Sequence, residues 1–247
     1  MTTTTDHAVS RQARTTIFGH VLVGIDDSPE SLEAARQAVA LAQGPITLLA
    51  AYDVTDAVVG GAMPPAPVYL DEGPIREKVE ATLERAGQEV SPVEPVTKIG
   101  RGRPWQVLLD EIDAEHHTLV VVGSHGAGRA KGILIGSTAT ELIHKAPCSV
   151  LVARPPLKQF HGSIVAGLDG SKESAVADAV ARDIAARFGA DLERYENVPE
   201  PVDALVEAAM GADLLVVGSR GLHGLKALGS VSERVAHNAR CSVLIVR

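Results

Sequence analysis

The sequence predicts an α/β protein made of two tandem, doubly wound parallel-sheet units, the second shorter than the first. Three observations lead there. Short Val-, Leu- and Ile-rich runs alternate with helix-patterned segments, as expected of parallel strands buried on both faces beneath covering helices. Blocks of sequence then recur in one order, which marks an internal duplication. Finally, only 3% of residues are aromatic while 45% are hydrophobic, so the core must be built from the aliphatic side chains that suit such strands.

The repeat has three anchors. Residues 21–31, Val-Leu-Val-Gly-Ile-Asp-Asp-Ser-Pro-Glu-Ser, return at 164–174 as Ile-Val-Ala-Gly-Leu-Asp-Gly-Ser-Lys-Glu-Ser, an offset of 143 (164 − 21). Residues 119–126 return at 214–221, an offset of 95 (214 − 119). Residues 136–137 and 148–154 return at 229–230 and 241–247, an offset of 93 (229 − 136). The second copy is therefore 48 residues shorter between the first two anchors (143 − 95) and 2 shorter between the last two (95 − 93). The organisation expected is a polar, Thr-rich, disordered tail at 1–16, a first unit at 17–154, a Pro-stiffened linker at 155–161 and a second unit at 162–247.

In the first unit a strand is expected over 18–25. Ser28-Pro29-Glu30 then sets a cap and a first-turn proline for a helix at 30–43, which Gly44-Pro45 ends. A second strand follows at 46–54. The Gly- and Pro-rich stretch 55–74 reads as a long loop, with Gly60 to Pro67 as a lid or a plain connection. A helix at 75–90, a strand at 93–99, a helix from Pro104 to Glu115 and a strand at 118–123 come next. A helix at 137–145 and a fifth strand at 148–153 close the unit. The second unit reads as strand 163–168, helix 172–187, strand 191–196, helix 201–209, strand 213–217 and then the last helix and strand, four strands against five. Its strand at 191–196 begins where a second strand should and ends where a third should.

The charge balance excludes some functions. A net charge of −8 over 247 residues argues against binding duplex nucleic acid, whose partners present basic faces. No apolar run approaches the roughly 20 residues that span a bilayer, and the amino-terminal stretch lacks the apolar centre of a signal peptide. Two cysteines, Cys148 and Cys241, are too few for a disulfide framework. A cytoplasmic protein is expected.

The chemistry concentrates after the first unit's fourth strand. Gly123 and Gly126 are followed, after nine residues, by Gly136-Ser137. Glycines there allow a tight turn and let a ligand reach backbone N–H groups. Ser137 or Thr138 opens a helix, with Glu141 completing a capping box, and a helix N-terminus suits phosphate. Asp26 ends the first strand and would face the same crevice, since ligands of open α/β sheets sit at strand carboxyl ends. The plainer reading is that the glycines only permit strand–helix turns.

With these residues the chain resembles the universal stress protein family and its adenine nucleotide alpha hydrolase-like fold. The carriers are residues 21–28, Gly123-Ser-His-Gly126 with Gly136-Ser137, and Ala146-Pro-Cys-Ser-Val-Leu-Val152. The resemblance implies ATP, with Mg2+, as the ligand of the first unit and no metal held by protein side chains alone. Ile25 and Asp26 would contact the nucleoside and Ala51 would line the adenine pocket. Gly123, His125, Gly126, Gly136, Ser137 and Thr138 would hold ribose and phosphates, with Arg129 as a further basic contact. The family's dimers use the last strand, so the two units would pair within one chain; a homodimer and an unidentified regulatory protein partner are the further assemblies implied.

The second unit departs from the pattern. Gly218 and Gly221 are followed by only seven residues before Gly229-Ser230. Asp169, Gly218, Arg220, Gly221, Gly229 and Ser230 form either a degenerate nucleotide site or the remnant of one in a partner unit. Arg101, Arg103, Arg129 and Lys131 could meet phosphate or simply be solvated. His116-His117 reads as a helix end rather than a metal site, Trp105 as a buried ring, and the cysteines as packing residues. Three functions stay in view: an ATP-binding regulator, a slow ATP hydrolase or adenylyl-transfer relative, and an interaction module without nucleotide. No catalytic residue can be assigned.

Overall fold

The computed structural model describes residues 18–53, 71–126, 135–155, 158–219 and 231–247. The first half contains β1 (Val21–Ile25), α1 (Pro29–Leu41), β2 (Ile46–Tyr52), α2 (Gly73–Glu89), β3 (Val96–Arg101), α3 (Pro104–Glu115), β4 (Leu119–Gly123), α4 (Ser137–Lys145) and β5 (Ser149–Ala153). The second contains β6 (Ser163–Leu168), α5 (Lys172–Phe188), β7 (Asp191–Glu196), α6 (Pro201–Ala208), β8 (Leu214–Gly218), α7 (Val231–Asn238) and β9 (Ser242–Val246). The lid reading at residues 60–67 lies outside the described residues.

The nine strands among the described residues form one sheet in the order β3-β2-β1-β4-β5-β9-β8-β6-β7. Every neighbouring pair is parallel except β5 and β9, which run antiparallel with Val150 opposite Ile245 and Val152 opposite Val243. The sheet is thus the two halves joined through their last strands. Helices cover both faces: α1, α2 and α5 pack on one, α3, α4, α6 and α7 on the other, and each apolar core runs through both halves. The central strands are buried throughout, which explains their unbroken aliphatic runs.

Local sequence sets the helix starts. Ser28 and Ser171 cap α1 and α5 by accepting from Ser31 N and Ser174 N, and Pro29, Pro104 and Pro201 sit in first turns. The capping box expected at Thr138 and Glu141 does not form. Gly136 is the α4 cap and no side chain bonds there, while Glu141 pairs with Lys145 at 2.8 Å.

The shortened half is resolved by register. β7 pairs with β6 as β2 pairs with β1, with Gly167 opposite Tyr195 as Gly24 is opposite Leu49. It therefore occupies the second-strand position, and β7 passes directly into α6. Among the described residues nothing in the second half corresponds to α2 or β3.

The joint between halves is held by two arginines at equivalent positions. Arg154 donates from its guanidinium to Cys241 O at 3.3 Å and to Ala236 O at 2.8 Å, the carboxyl end of α7. Arg247 donates to Cys148 O at 3.2 Å and to Ile143 O near the carboxyl end of α4. Burial lowers both guanidinium pKa values. Carbonyl oxygens and the negative end of each helix dipole stabilise the charges in the place of carboxylates.

Candidate functional site

The sheet order reverses at β1 and β4, whose crossovers leave in opposite directions, and a crevice opens outside their carboxyl ends. Ile25, Asp26, Ala51, Gly123, His125, Gly126, Gly136, Ser137 and Thr138 all line one cleft there, which encloses about 210 Å³. Arg129 and Lys131 lie outside the described residues. Leu49, Pro104, Leu108 and Val122 supply an apolar wall that the motif did not reveal. They reach the cleft from β2, α3 and β4, so only the fold brings them together.

The glycines have separable roles. A Cβ on Gly123 would lie 2.8 Å from the Glu30 carbonyl carbon and 3.0 Å from its oxygen, so this glycine lets the first turn of α1 approach β4. Gly218 stands against Glu173 in the same way, at 2.9 Å, which makes the pair architectural in both halves. Gly136 differs. A Cβ there would meet nothing nearer than Ser124 O at 3.6 Å, Gly126 N and His125 Cα at 3.7 Å, and its φ of −65° is open to any residue. The fold does not require glycine at 136, yet a side chain there would fill the notch between the Gly123–Gly126 turn and α4. A Cβ on Gly126 would stand 2.6 Å from Asp26 Oδ2.

Polar groups converge on this notch. Asp26 Oδ1 accepts from Ser28 N at 3.0 Å and from Ser28 Oγ, so the turn-capping role is real; Oδ2 faces Gly126. His125 Nδ1 contacts Ser124 Oγ at 3.1 Å, and its Nε2 is buried with no hydrogen-bond partner among the described residues. Burying such an atom costs free energy unless something else meets it. The first turn of α4 carries no side-chain cap, so its N–H groups and positive dipole end face the cleft.

Arg101 pairs with Glu72 at 2.8 Å, and Lys78 and Arg85 both bind Asp27, whose pKa those partners hold low. Trp105 is half-buried under Lys145, whose Nζ sits 4.0 Å from the ring centroid. His116 ends α3 in a left-handed conformation, and His117 is buried against His20 with Nε2 3.4 Å from Glu111. No grouping of three or more His, Cys, Asp or Glu side chains able to hold a metal occurs among the described residues. Cys148 and Cys241 are buried, which pushes both thiols up to about 11.

In the second half Asp169 and Gly218 line a matching cleft; Arg220, Gly221, Gly229 and Ser230 lie outside the described residues. Asp169 repeats the Asp26 turn, accepting from Ser171 N at 3.0 Å and Ser171 Oγ at 2.6 Å.

A family model described as the universal stress protein family matches residues 18–154 and 191–247. A universal stress protein of Mycolicibacterium smegmatis is 31% identical, covering 92% of this chain and 96% of that protein. One of Mycobacterium tuberculosis is 29% identical with the same coverage, 92% and 96%. Among solved structures, a universal stress protein from Archaeoglobus fulgidus superposes with a TM-score of 0.70 at 18% identity, covering 92% of this chain and 96% of that one. No helix among the described residues is long and apolar enough to cross a membrane.

Proposed function

The chain belongs to the universal stress protein family, and from that membership we propose that it is an ATP-binding regulator of stress response or dormancy whose first half holds the nucleotide. The observation that carries the reading is the notch formed by the uncapped start of α4, the sterically unneeded Gly136 and the unpartnered Nε2 of His125. The free N–H groups at the start of α4 favour a ligand rich in acceptor oxygens, and the open notch at Gly136 gives a polyphosphate room. Leu49, Leu108 and Val122 offer the apolar surface a heterocycle needs, with Asp26 as acceptor for ribose hydroxyls. ATP supplies the charge that the N–H groups neutralise, and Mg2+ would arrive bound to its phosphates.

A regulatory output follows from α4 itself. Its amino end lines the cleft, and the carbonyl of Ile143 near its other end accepts from Arg247 of the second half. A ligand that orders the first end bears on a helix clasped at the second. Among the described residues the site offers no paired acid and base aligned for hydrolysis, and binding is its proposed task. The test is to denature purified protein and identify any released nucleotide, then titrate emptied protein with Mg·ATP by calorimetry. Bound ATP with micromolar or tighter affinity supports the reading. Rapid ADP formation would make the protein a hydrolase, and no heat at millimolar ATP would leave it an interaction module.

A further inference from the structure

The two ends of the joint between halves share an arginine clasp but not the helix side chains beside it. Arg154 N donates to Ser242 Oγ at 3.0 Å and Arg247 N to Ser149 Oγ at 3.2 Å, and each guanidinium reaches carbonyls of the opposite half. Beside Arg154 the Gln37 amide closes the end of the joint. Its Nε2 donates to Arg154 O at 2.6 Å, its Oε1 accepts from Ser242 Oγ at 2.8 Å, and the residue is buried.

At the other end that amide is missing. The offset of 143 between α1 and α5 puts Val180 in the place of Gln37 (180 − 37) and Val176 in the place of Glu33 (176 − 33). Valine has no hydrogen-bonding group to offer. Ser149 Oγ accepts from Arg247 N and donates to nothing among the described residues, whereas Ser242 Oγ donates to both Gln37 Oε1 and Arg154 O. Valine is also shorter than glutamine. A groove of about 680 Å³ opens here between α5 and the ends of β5 and β9, lined by Phe18, Ser149, Val176, Val180, Asp183 and Arg247 among others. Val176 is 50% exposed, where Glu33 at the opposite end is 8% exposed.

Arg247 does not turn its charge toward α5. Its guanidinium bonds Ile143 O of α4, and α4 covers the other face of the sheet. By the symmetry of the clasp, the main-chain oxygen of Arg247 stands beside the Ser149 hydroxyl as that of Arg154 stands beside Ser242. The α5 side of the joint therefore pairs one acceptor with one donor above an aliphatic wall, with the Asp183 carboxylate nearby.

We propose that this groove binds a small molecule carrying a primary carboxamide on a compact apolar body, the amide taking the part that Gln37 plays at the opposite end. The amide carbonyl accepts from Ser149 Oγ, its NH2 group donates to Arg247 O, and the apolar body lies on Val176 and Val180. A carboxylate has no proton for Arg247 O and is repelled by Asp183; an ester supplies the acceptor alone. The volume falls within the usual range for small-molecule sites. The ligand would touch α5, β5 and β9 together and so brace the joint. No residue of this groove lines either strand-end cleft, so the proposal stands apart from the nucleotide reading of the first.

The test titrates full-length protein with benzamide, benzoate and methyl benzoate in turn, following the valine methyl signals by NMR. Benzamide should saturate one site per chain at millimolar concentration or below, shift the Val176 and Val180 methyls, and bind at least about tenfold more tightly than either analogue, the effect of one or two hydrogen bonds. Val180→Gln supplies the amide from the chain itself and should weaken benzamide at least about tenfold. Ser149→Ala removes the donor and should reduce the preference for benzamide over methyl benzoate to about threefold or less, a ratio that a general loosening of the joint would not change. If the glutamine variant fails to fold, Ser149→Ala decides alone. No saturable binding of benzamide at about 10 mM would overturn the proposal. So would benzoate binding as tightly as benzamide, which would make the groove a site for Arg247's charge. Unchanged benzamide affinity in folded Val180→Gln, or an unchanged preference in Ser149→Ala, would place the ligand elsewhere and overturn it too.

Discussion

Two glycines of different role, Gly123 and Gly136, give the sharpest test of the cleft. Gly123→Ala places a methyl group 2.8–3.0 Å from the backbone of Glu30, closer than carbon atoms tolerate, so α1 must shift. Overpacking of this kind costs about 1–3 kcal/mol. Gly136→Val places its Cβ 3.6 Å from the nearest neighbour, an ordinary contact, and the poorer helix cap costs about 1 kcal/mol. For ATP the order reverses. Valine at 136 stands between Gly126 N and α4, and removing two charge-assisted hydrogen bonds there costs about 3 kcal/mol, roughly a hundredfold in affinity. Urea unfolding and calorimetric titration with Mg·ATP on both variants read the two effects separately. A folded Gly136→Val protein that binds ATP like the wild type would refute the assignment of the notch. A Gly123→Ala protein as stable as the wild type would refute the steric reading of that glycine.

Replacing Arg154 by Met should lower stability by roughly 2–3 kcal/mol, because Cys241 O and Ala236 O lose a buried donor; urea midpoints measure it. His117, held below the usual imidazole pKa by burial despite the Glu111 contact, binds fewer protons folded than unfolded. Stability should therefore fall as pH drops through about 6.5 and level off below the folded value, and His117→Gln should flatten that part of the stability profile. Cys148 and Cys241, with thiols near 11, should resist a thiol-reactive disulfide reagent at about pH 8 until the chain is unfolded, when both react.

The repeat made the architecture legible because each anchor carries a structural duty that recurs. Ser28 and Ser171 cap helices, Gly123 and Gly218 admit a neighbouring helix, and the final Ser-Val-Leu runs become the paired strands β5 and β9. The ambiguity at 191–196 came from length alone, since six residues fill one strand wherever it sits. Register decides it: the short α5–β7 connection returns the chain beside β6, leaving no room for another strand between them. Spacing could not tell which glycines serve the fold, because steric need depends on Glu30 and Glu173, both distant in sequence. Nor could it foresee that α4 would open without a side-chain cap.

The arginine clasp shows where local reading fails for a physical reason. Arg154 and Arg247 are visible as repeated residues after equivalent strands, yet each acts on the other half across 82 to 104 residues of chain. Nothing in their neighbourhoods announces a buried charge held by carbonyls. The two ends of the joint have also diverged. Beside Arg154, Gln37 donates to its carbonyl and to Glu33, and Ser242 donates to Gln37. Beside Arg247 the corresponding α5 positions are Val176 and Val180, and a groove lined by Phe18 and Asp183 remains. The duplication preserved the antiparallel strand pair, which needs only backbone, while the side chains around it became unequal. A polar network at one end, and a groove walled by Val176 and Val180 at the other, mean that the halves are no longer interchangeable.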